Sequence, residues 1–202
     1  MKKLLGALLF FLASLTIVNA QNFEGTVEME QISATGTTYK ITWFIKKDKI
    51  AYEIKTGADN GSLKMRFVPQ PKQNTMLMIV NSQEGNSKRE ISTRDISSDI
   101  DMSKAEVKEN GTKTHADFGE LTILLINTPE ANTEVEVVKS IDVDLSKYAS
   151  YLKNEYGIQA LIQTKQIGFP LNSITKDKNG KLISQTKVIS IKPGPVSEEY
   201  FH

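Results

Sequence analysis

Between residues 23 and 91 apolar and polar residues alternate with a period of two, broken at short intervals by turn-forming residues. In "TYKITWFIKKDKIAYEI" (38–54), Tyr39, Ile41, Trp43 and Ile45 share one side of a strand and Lys40, Thr42 and Lys46 the other. The reason is that successive side chains of an extended chain point to opposite faces. "KKDK" turns the chain, and Ile50, Tyr52 and Ile54 carry the apolar face onward. "ADNG" (58–61) predicts a further hairpin turn, since Asn and Gly tolerate the positive φ that tight turns need. Leu63, Met65 and Phe67 resume that face, and Pro69 and Pro71 predict the strand's end because proline has no N–H for the ladder. Met76, Met78 and Val80 follow, with Leu77 and Ile79 on the opposite side. That two-sided pattern predicts a central strand with cover on both faces. "NSQEGNS" (81–87) marks the next turn.

Residues 92–114 are polar, and they read as a surface excursion holding a short helix or a strand near Glu106. Strands resume in "ELTILLINT" (120–128) and "TEVEVVKSI" (133–141), with a turn at Pro129 to Asn132. The period changes in "DLSKYASYLKNEYG" (144–157), where Leu145, Tyr148, Ala149, Leu152 and Tyr156 fall on one helical face. Asp144 suits its N-cap and Gly157 its C-terminal stop. Two strands, "LIQTKQIGFPLNSITKD" and "KLISQTKVISIK", follow, joined at "DKNG" (177–180). Many strands, one late helix and no separating linker predict a single β-rich α+β domain over residues 21–202.

Composition changes this picture at the N-terminus. Lys2 and Lys3 precede an apolar run from Leu4 to Val18, and "VNA" (18–20) ends it. Residues 1–20 therefore read as a secretory signal peptide with cleavage after Ala20. The run is short for a transmembrane helix, so the protein is not expected to be integral to a membrane. The chain has no cysteine, which excludes disulfides, a thiolate metal site and a lipid-modified N-terminal cysteine. An exported, soluble, periplasmic protein is the expectation, with an extracellular location as the alternative. Loss of the two leader lysines takes the formal charge from +1 to −1. Without a clustered basic surface, nucleic acid is not an expected partner.

The residues that carry chemistry select no reaction. His115 and Asp117 make an incomplete metal site, and His202 is the last residue. Asp95 with Asp99 and Asp101, Asp142 with Asp144, and "DKNG" lack the spacing and closing glutamate of a calcium loop. They read as a solvated loop, a helix N-terminus and a turn. No nucleophile elbow, phosphate loop or dinucleotide fingerprint is present. No catalytic residue, metal or cofactor is assigned, and the expectation is a non-enzyme. A hydrolase built on two facing carboxylates would be legible only in the fold. What remains is the apolar sheet face, with Met29 and with Trp43, Tyr52, Met65, Phe67, Met76 and Met78 as candidate lining of an apolar groove. Methionine fills irregular gaps and adapts to varied partners. Pattern alone leaves open whether the helix plugs this face or a ligand shares it.

Four segments occur in a telling order: "FEGTVEME" (23–30), "TEVEVVKSIDVDL" (133–145), "GFPLNSITKDKNGKL" (168–182) and "VSEEYF" (196–201). In these the chain resembles a family of exported bacterial proteins of the DUF4412 type. The resemblance implies a fold like the periplasmic lipoprotein carriers (LolA/LolB-like), a strongly curved, unclosed antiparallel half-barrel with one main helix over its concave face. It also implies an acyl chain, lipid or acylated ligand held in that face. The alternative is a cell-envelope structural or interaction protein with a filled core, engaging a protein partner through a sheet edge or the 92–114 loop.

Overall fold

The computed structural model describes residues 23–56, 63–97 and 101–202. Residues 1–20, read above as a signal peptide, the "ADNG" segment expected to turn, and Asp99 lie outside the described residues.

Six strands follow one another as a meander: β1 (Glu24–Ser33), β2 (Thr38–Lys46), β3 (Lys49–Thr56), β4 (Leu63–Gln70), β5 (Thr75–Ser82) and β6 (Gly85–Ser92). Five more complete the sheet: β7 (Glu106–His115), β8 (Gly119–Asn127), β9 (Ala131–Val138), β10 (Phe169–Asp177) and β11 (Leu182–Pro193). The order across the single antiparallel sheet is β6-β5-β4-β3-β2-β1-β11-β10-β9-β8-β7. Two meanders thus run outward from a central pair made by the first and last strands, β1 and β11. The edge strands β6 and β7 do not pair with each other, so the curved sheet is a half-barrel and not a closed barrel. Both edges are polar, with Lys88, Arg89 and Glu90 on β6 and Glu106, Lys108, Glu109 and Lys113 on β7. Charged edges discourage pairing with a further chain.

The register places the alternating residues as their period requires. Val27, Trp43, Tyr52, Phe67 and Met78 stand opposite one another across β1 to β5, and Met29, Ile41, Ile54, Met65 and Val80 form the adjacent row. Directly opposed residues share a face, so both rows belong to the concave side. Val135, Val137, Leu121 and Leu124 continue the core through β8 and β9. Full burial of each large aliphatic side chain is worth about 1.5–3 kcal/mol, and with no disulfide this packing stabilises the sheet.

The helix α1 spans Tyr156–Thr164, and this corrects the sequence expectation of a helix over 144–157 followed directly by a strand. Residues 145–155 form a 3-10 turn at Ser146–Tyr148 and a run of further turns. Tyr148 N–H bonds to Leu145 O, Tyr151 N–H to Tyr148 O, and Glu155 N–H to Leu152 O, each three residues apart. Of the predicted inward set Leu145, Tyr148 and Leu152 are nonetheless buried and Ala149 and Tyr156 half-buried, while Tyr151, outside that set, is buried as well. The stretch Ser146–Asn154 is rich in Ser, Tyr and Asn, weaker helix formers than the Gln, Ala and Leu of 158–163. Asp144 caps this turn segment, its Oδ1 accepting from Ser146 N–H at 3.0 Å.

Gly157, expected to end a helix, sits in the first turn of α1, against Pro170 and Val135. The stop is Lys165, whose φ of 54° is left-handed. Its N–H bonds to Ile162 O, and Gln166 N–H reaches Leu161 O, a Schellman closure.

Two further differences concern strands. β4 runs through Pro69 to Gln70, because pairing with β3 already stops at Phe67 and no partner there needs the missing N–H. β5 is covered on both faces as its pattern predicts, yet stands second from the edge instead of centrally. Its outer cover is the C-terminal segment. Val196, Tyr200 and Phe201 pack on Phe44, Ala51, Val68, Leu77 and Ile79, and Tyr200 stacks on Phe44 at 3.9 Å between ring centres. Beside this patch, buried Glu53 accepts an ion pair from Lys64 at 2.9 Å and one from Arg66 at 3.4 Å. Arg66 in turn lies over the Tyr200 ring at 4.8 Å and so ties the C-terminal segment to the outer face.

Candidate functional site

The concave face is covered by two neighbouring pieces. Helix α1 lies over β8 and β10, burying Ile158 and Leu161. The turn segment before it places Tyr148, Tyr151 and Leu152 over the β2–β6 side, and the Tyr148 hydroxyl donates to Asp48 O at the β2–β3 turn. Gln159 joins helix to turns, its Nε2 donating to Ala149 O at 3.1 Å and to Leu152 O at 2.9 Å. Lys153 Nζ donates to the carbonyls of Thr93 (3.1 Å) and Ile96 (2.9 Å), and Asn154 Nδ2 to Ser97 O (3.3 Å). These bonds stitch the cover to the strip that follows β6.

Cover and sheet do not meet everywhere. A cleft of about 260 Å³ opens over Tyr52, Phe67, Met76 and Ile91, roofed by residues 151–155 and rimmed by residues 95–97. A smaller one of about 60 Å³ lies on the other side of the same roof, over Met29, Ile41 and Trp43 and against Phe169 and Leu171. Small-molecule sites occupy roughly 300–1,000 Å³, so the larger cleft suits one chain or a small amphiphile. Their floors are continuous through an aromatic row. Trp43 to Tyr52 and Tyr52 to Phe67 are each 4.9 Å between ring centres, and Phe169 meets Trp43 edge-on at 5.4 Å.

Of the six groove residues named from the sequence, Tyr52, Phe67 and Met76 line the larger cleft and Trp43 the smaller. Met65 and Met78 share the concave face and are half-buried, but they line neither cleft.

Glu155 lies between the clefts and lines both. It is half-buried by surface area, yet its carboxyl is enclosed enough that desolvation alone raises its pKa to about 7. Burial also pushes the Tyr52 hydroxyl above its ordinary range, with the charge of Glu155 adding to the effect. Tyr151 is 3% exposed and lines the larger cleft, and its hydroxyl has no hydrogen-bond partner among the described residues. The sequence reading missed Glu155 and Tyr151. Glu155 falls three residues after Leu152 and seven after Tyr148, and a carboxylate at such inward spacing was the available signal.

The other acids serve as local caps. Asp101 Oδ1 accepts from Ser103 N–H at 3.0 Å, and Asp177 Oδ1 from Asn179 N–H at 2.9 Å and Lys181 N–H at 2.8 Å. His115 stacks on Phe118 at 4.5 Å on the edge strand. Among the described residues no group of three or more His, Asp and Glu side chains is placed to hold a metal ion. Among the same residues no helix is long and apolar enough to cross a membrane.

Fold and site together define a β-rich half-barrel whose covered concave face keeps two clefts beside an apolar core. Within that class, the chain belongs to the DUF4412 family (domain of unknown function), whose model matches residues 23–202. No curated protein matches it in sequence. Among solved structures it is similar to MucB in its complex with the periplasmic part of MucA, at 9% identity and a TM-score of 0.43; the match covers 91% of this chain and 55% of that one. An uncharacterized conserved protein from Thermus thermophilus matches at 9% identity and a TM-score of 0.45, over 90% of this chain and 85% of that one. A putative outer membrane lipoprotein-sorting protein domain from Vibrio parahaemolyticus matches at 8% identity and a TM-score of 0.36, over 88% of each. At these scores the likeness carries no conclusion about what this chain binds.

Proposed function

We propose that this chain is an exported, non-enzymatic binding protein that holds a lipid, acyl chain or other apolar ligand between the concave sheet face and its cover. The observation that supports this reading is the pair of clefts between the aromatic row Trp43–Tyr52–Phe67 and the roof of residues 151–155. A floor of aromatic, Met and Ile side chains offers adaptable apolar contact, gaining about 25 cal/mol for each Å² of ligand surface removed from water. The bonds from Lys153 and Asn154 to the strip at 93–97 hold the roof through side chains and not through the sheet ladder. The signal-like residues 1–20 support a periplasmic location, with the exterior as the alternative. The charged edges β6 and β7 speak against partner capture by strand addition.

The test is native mass spectrometry of protein isolated gently from its own compartment, followed by organic extraction. A reproducible apolar co-purifying species is the expected result. Replacing half-buried Phe67, on the floor of the larger cleft, by serine should weaken uptake of that species while the protein stays folded. A clean apo mass, with no uptake of added fatty acid or lipid, would overturn the reading and leave the concave face as a filled core.

A further inference from the structure

The two clefts contain polar groups that the fold itself leaves unanswered. The Glu155 carboxylate makes no ion pair or side-chain hydrogen bond among the described residues, and it faces both clefts. The nearest ammonium in its own segment, Lys153, is committed to the carbonyls of Thr93 and Ile96. Tyr151, nine-tenths buried or more, offers a second unsatisfied group in the larger cleft. A buried hydroxyl without a partner costs about 1–3 kcal/mol, and the half-buried carboxylate is partly desolvated with no counter-ion in return. Filling the space with hydrocarbon alone would leave both costs standing. A ligand that brings a positive charge with several N–H donors removes them together.

We propose, resting on the binding reading above, that the clefts take a single-chain amphiphile headed by a protonated amine. Glu155 is its counter-ion and the Tyr151 hydroxyl a second acceptor. The apolar chain lies over Tyr52, Phe67 and Met76, and the ammonium sits under the roof where the two clefts meet. The size of the larger cleft fits one chain and excludes a bulky, multi-chain lipid held whole. The charge sets the preference: an ammonium is attracted to Glu155, an alcohol is neutral towards it, and a fatty carboxylate is repelled.

Trp43 is the sole tryptophan and lines the smaller cleft with Glu155, so its fluorescence reports occupancy directly. Delipidated protein is titrated with dodecylamine, dodecanol and dodecanoate below their aggregation limits at about pH 8, where Glu155 is ionised. The amine is expected to bind roughly tenfold or more tightly than the alcohol, and the alcohol more tightly than the carboxylate. Glu155→Gln should erase the amine's advantage over the alcohol. Tyr151→Phe, which removes only an unbonded hydroxyl and keeps the ring, should reduce it by a smaller factor.

Equal binding of all three ligands, or an equal loss of all three in Glu155→Gln, would overturn the head-group assignment and leave the apolar site intact. Tighter binding of dodecanoate would do the same. Failure of every ligand to bind would remove the binding reading itself, and this inference with it.

Discussion

Gly157 sets the distance between α1 and the sheet, and Gly157→Ala tests that role because two effects of opposite sign compete. The residue lies in the first turn of α1, its φ lies outside the left-handed region, and it is buried. Helix propensity therefore favours alanine, by roughly 0.5–1 kcal/mol. Sterics oppose it. An alanine Cβ would stand 2.8 Å from Pro170 Cβ and 3.0 Å from Val135 Cγ1, both well inside ordinary contact. Neither neighbour can yield easily: Pro170 is a ring on β10 and Val135 a buried branched side chain on β9. Overpacking of this kind costs typically about 1–3 kcal/mol, so the steric effect wins by about 1–2 kcal/mol. For a domain of this size that lowers the melting temperature by roughly 2–8 °C. Urea unfolding followed by Trp43 fluorescence measures the free-energy change. The m-value should stay constant, since the surface exposed on unfolding is unchanged. A Gly157→Ala protein as stable as the parent, or more so, would refute the claim that this glycine exists for close approach. It would restore the view that only its backbone freedom matters.

Two further outcomes are expected. Glu155 has its folded pKa raised to about 7 by desolvation, so the folded state holds its proton more tightly than the unfolded chain. Its contribution to stability is fully present below the unfolded value of 4.5 and is lost as pH rises through about 7. The titratable or charged groups around it are Tyr52, Tyr151, Tyr156, Asp95 and Lys153, and burial moves the three tyrosines upward, away from that window. Glu155→Gln should match the parent near pH 4 and exceed it by about 1–3 kcal/mol near pH 8, and parallel pH profiles in chemical denaturation would refute this. Thr133 and Thr175 face each other on β9 and β10 with hydroxyls 3.0 Å apart, both buried. Either single Val substitution should cost about 1–2 kcal/mol by orphaning the other hydroxyl, and the double substitution should recover most of that loss; strict additivity in the cycle would show that the pair is not coupled.

Half of the candidate site was legible in the chain. Tyr52, Phe67 and Met76 fall on one face because the alternation that names them is a local property, fixed by the geometry of an extended backbone. The same holds for the turns at Lys47–Asp48, Gln83–Glu84 and 177–180, and for the stabilisation by packing that a cysteine-free chain requires. Even the inward set Leu145, Tyr148 and Leu152 was readable. Burial dictates which residues face the core, but a run of 3-10 turns satisfies that demand as well as a helix does.

Periodicity and turn chemistry over a few residues suffice for the strands, their apolar face and the β-rich class. The rest needs the folded chain. Only long-range pairing puts β1 beside β11 and so orders two meanders into one half-barrel. Only the return of residues 196–201 over β2–β5 explains the second apolar face of β5. Only the meeting of roof and floor turns Glu155 from an acid at an inward spacing into a carboxyl with no partner beside a cleft, because desolvation is set by neighbours distant in the chain.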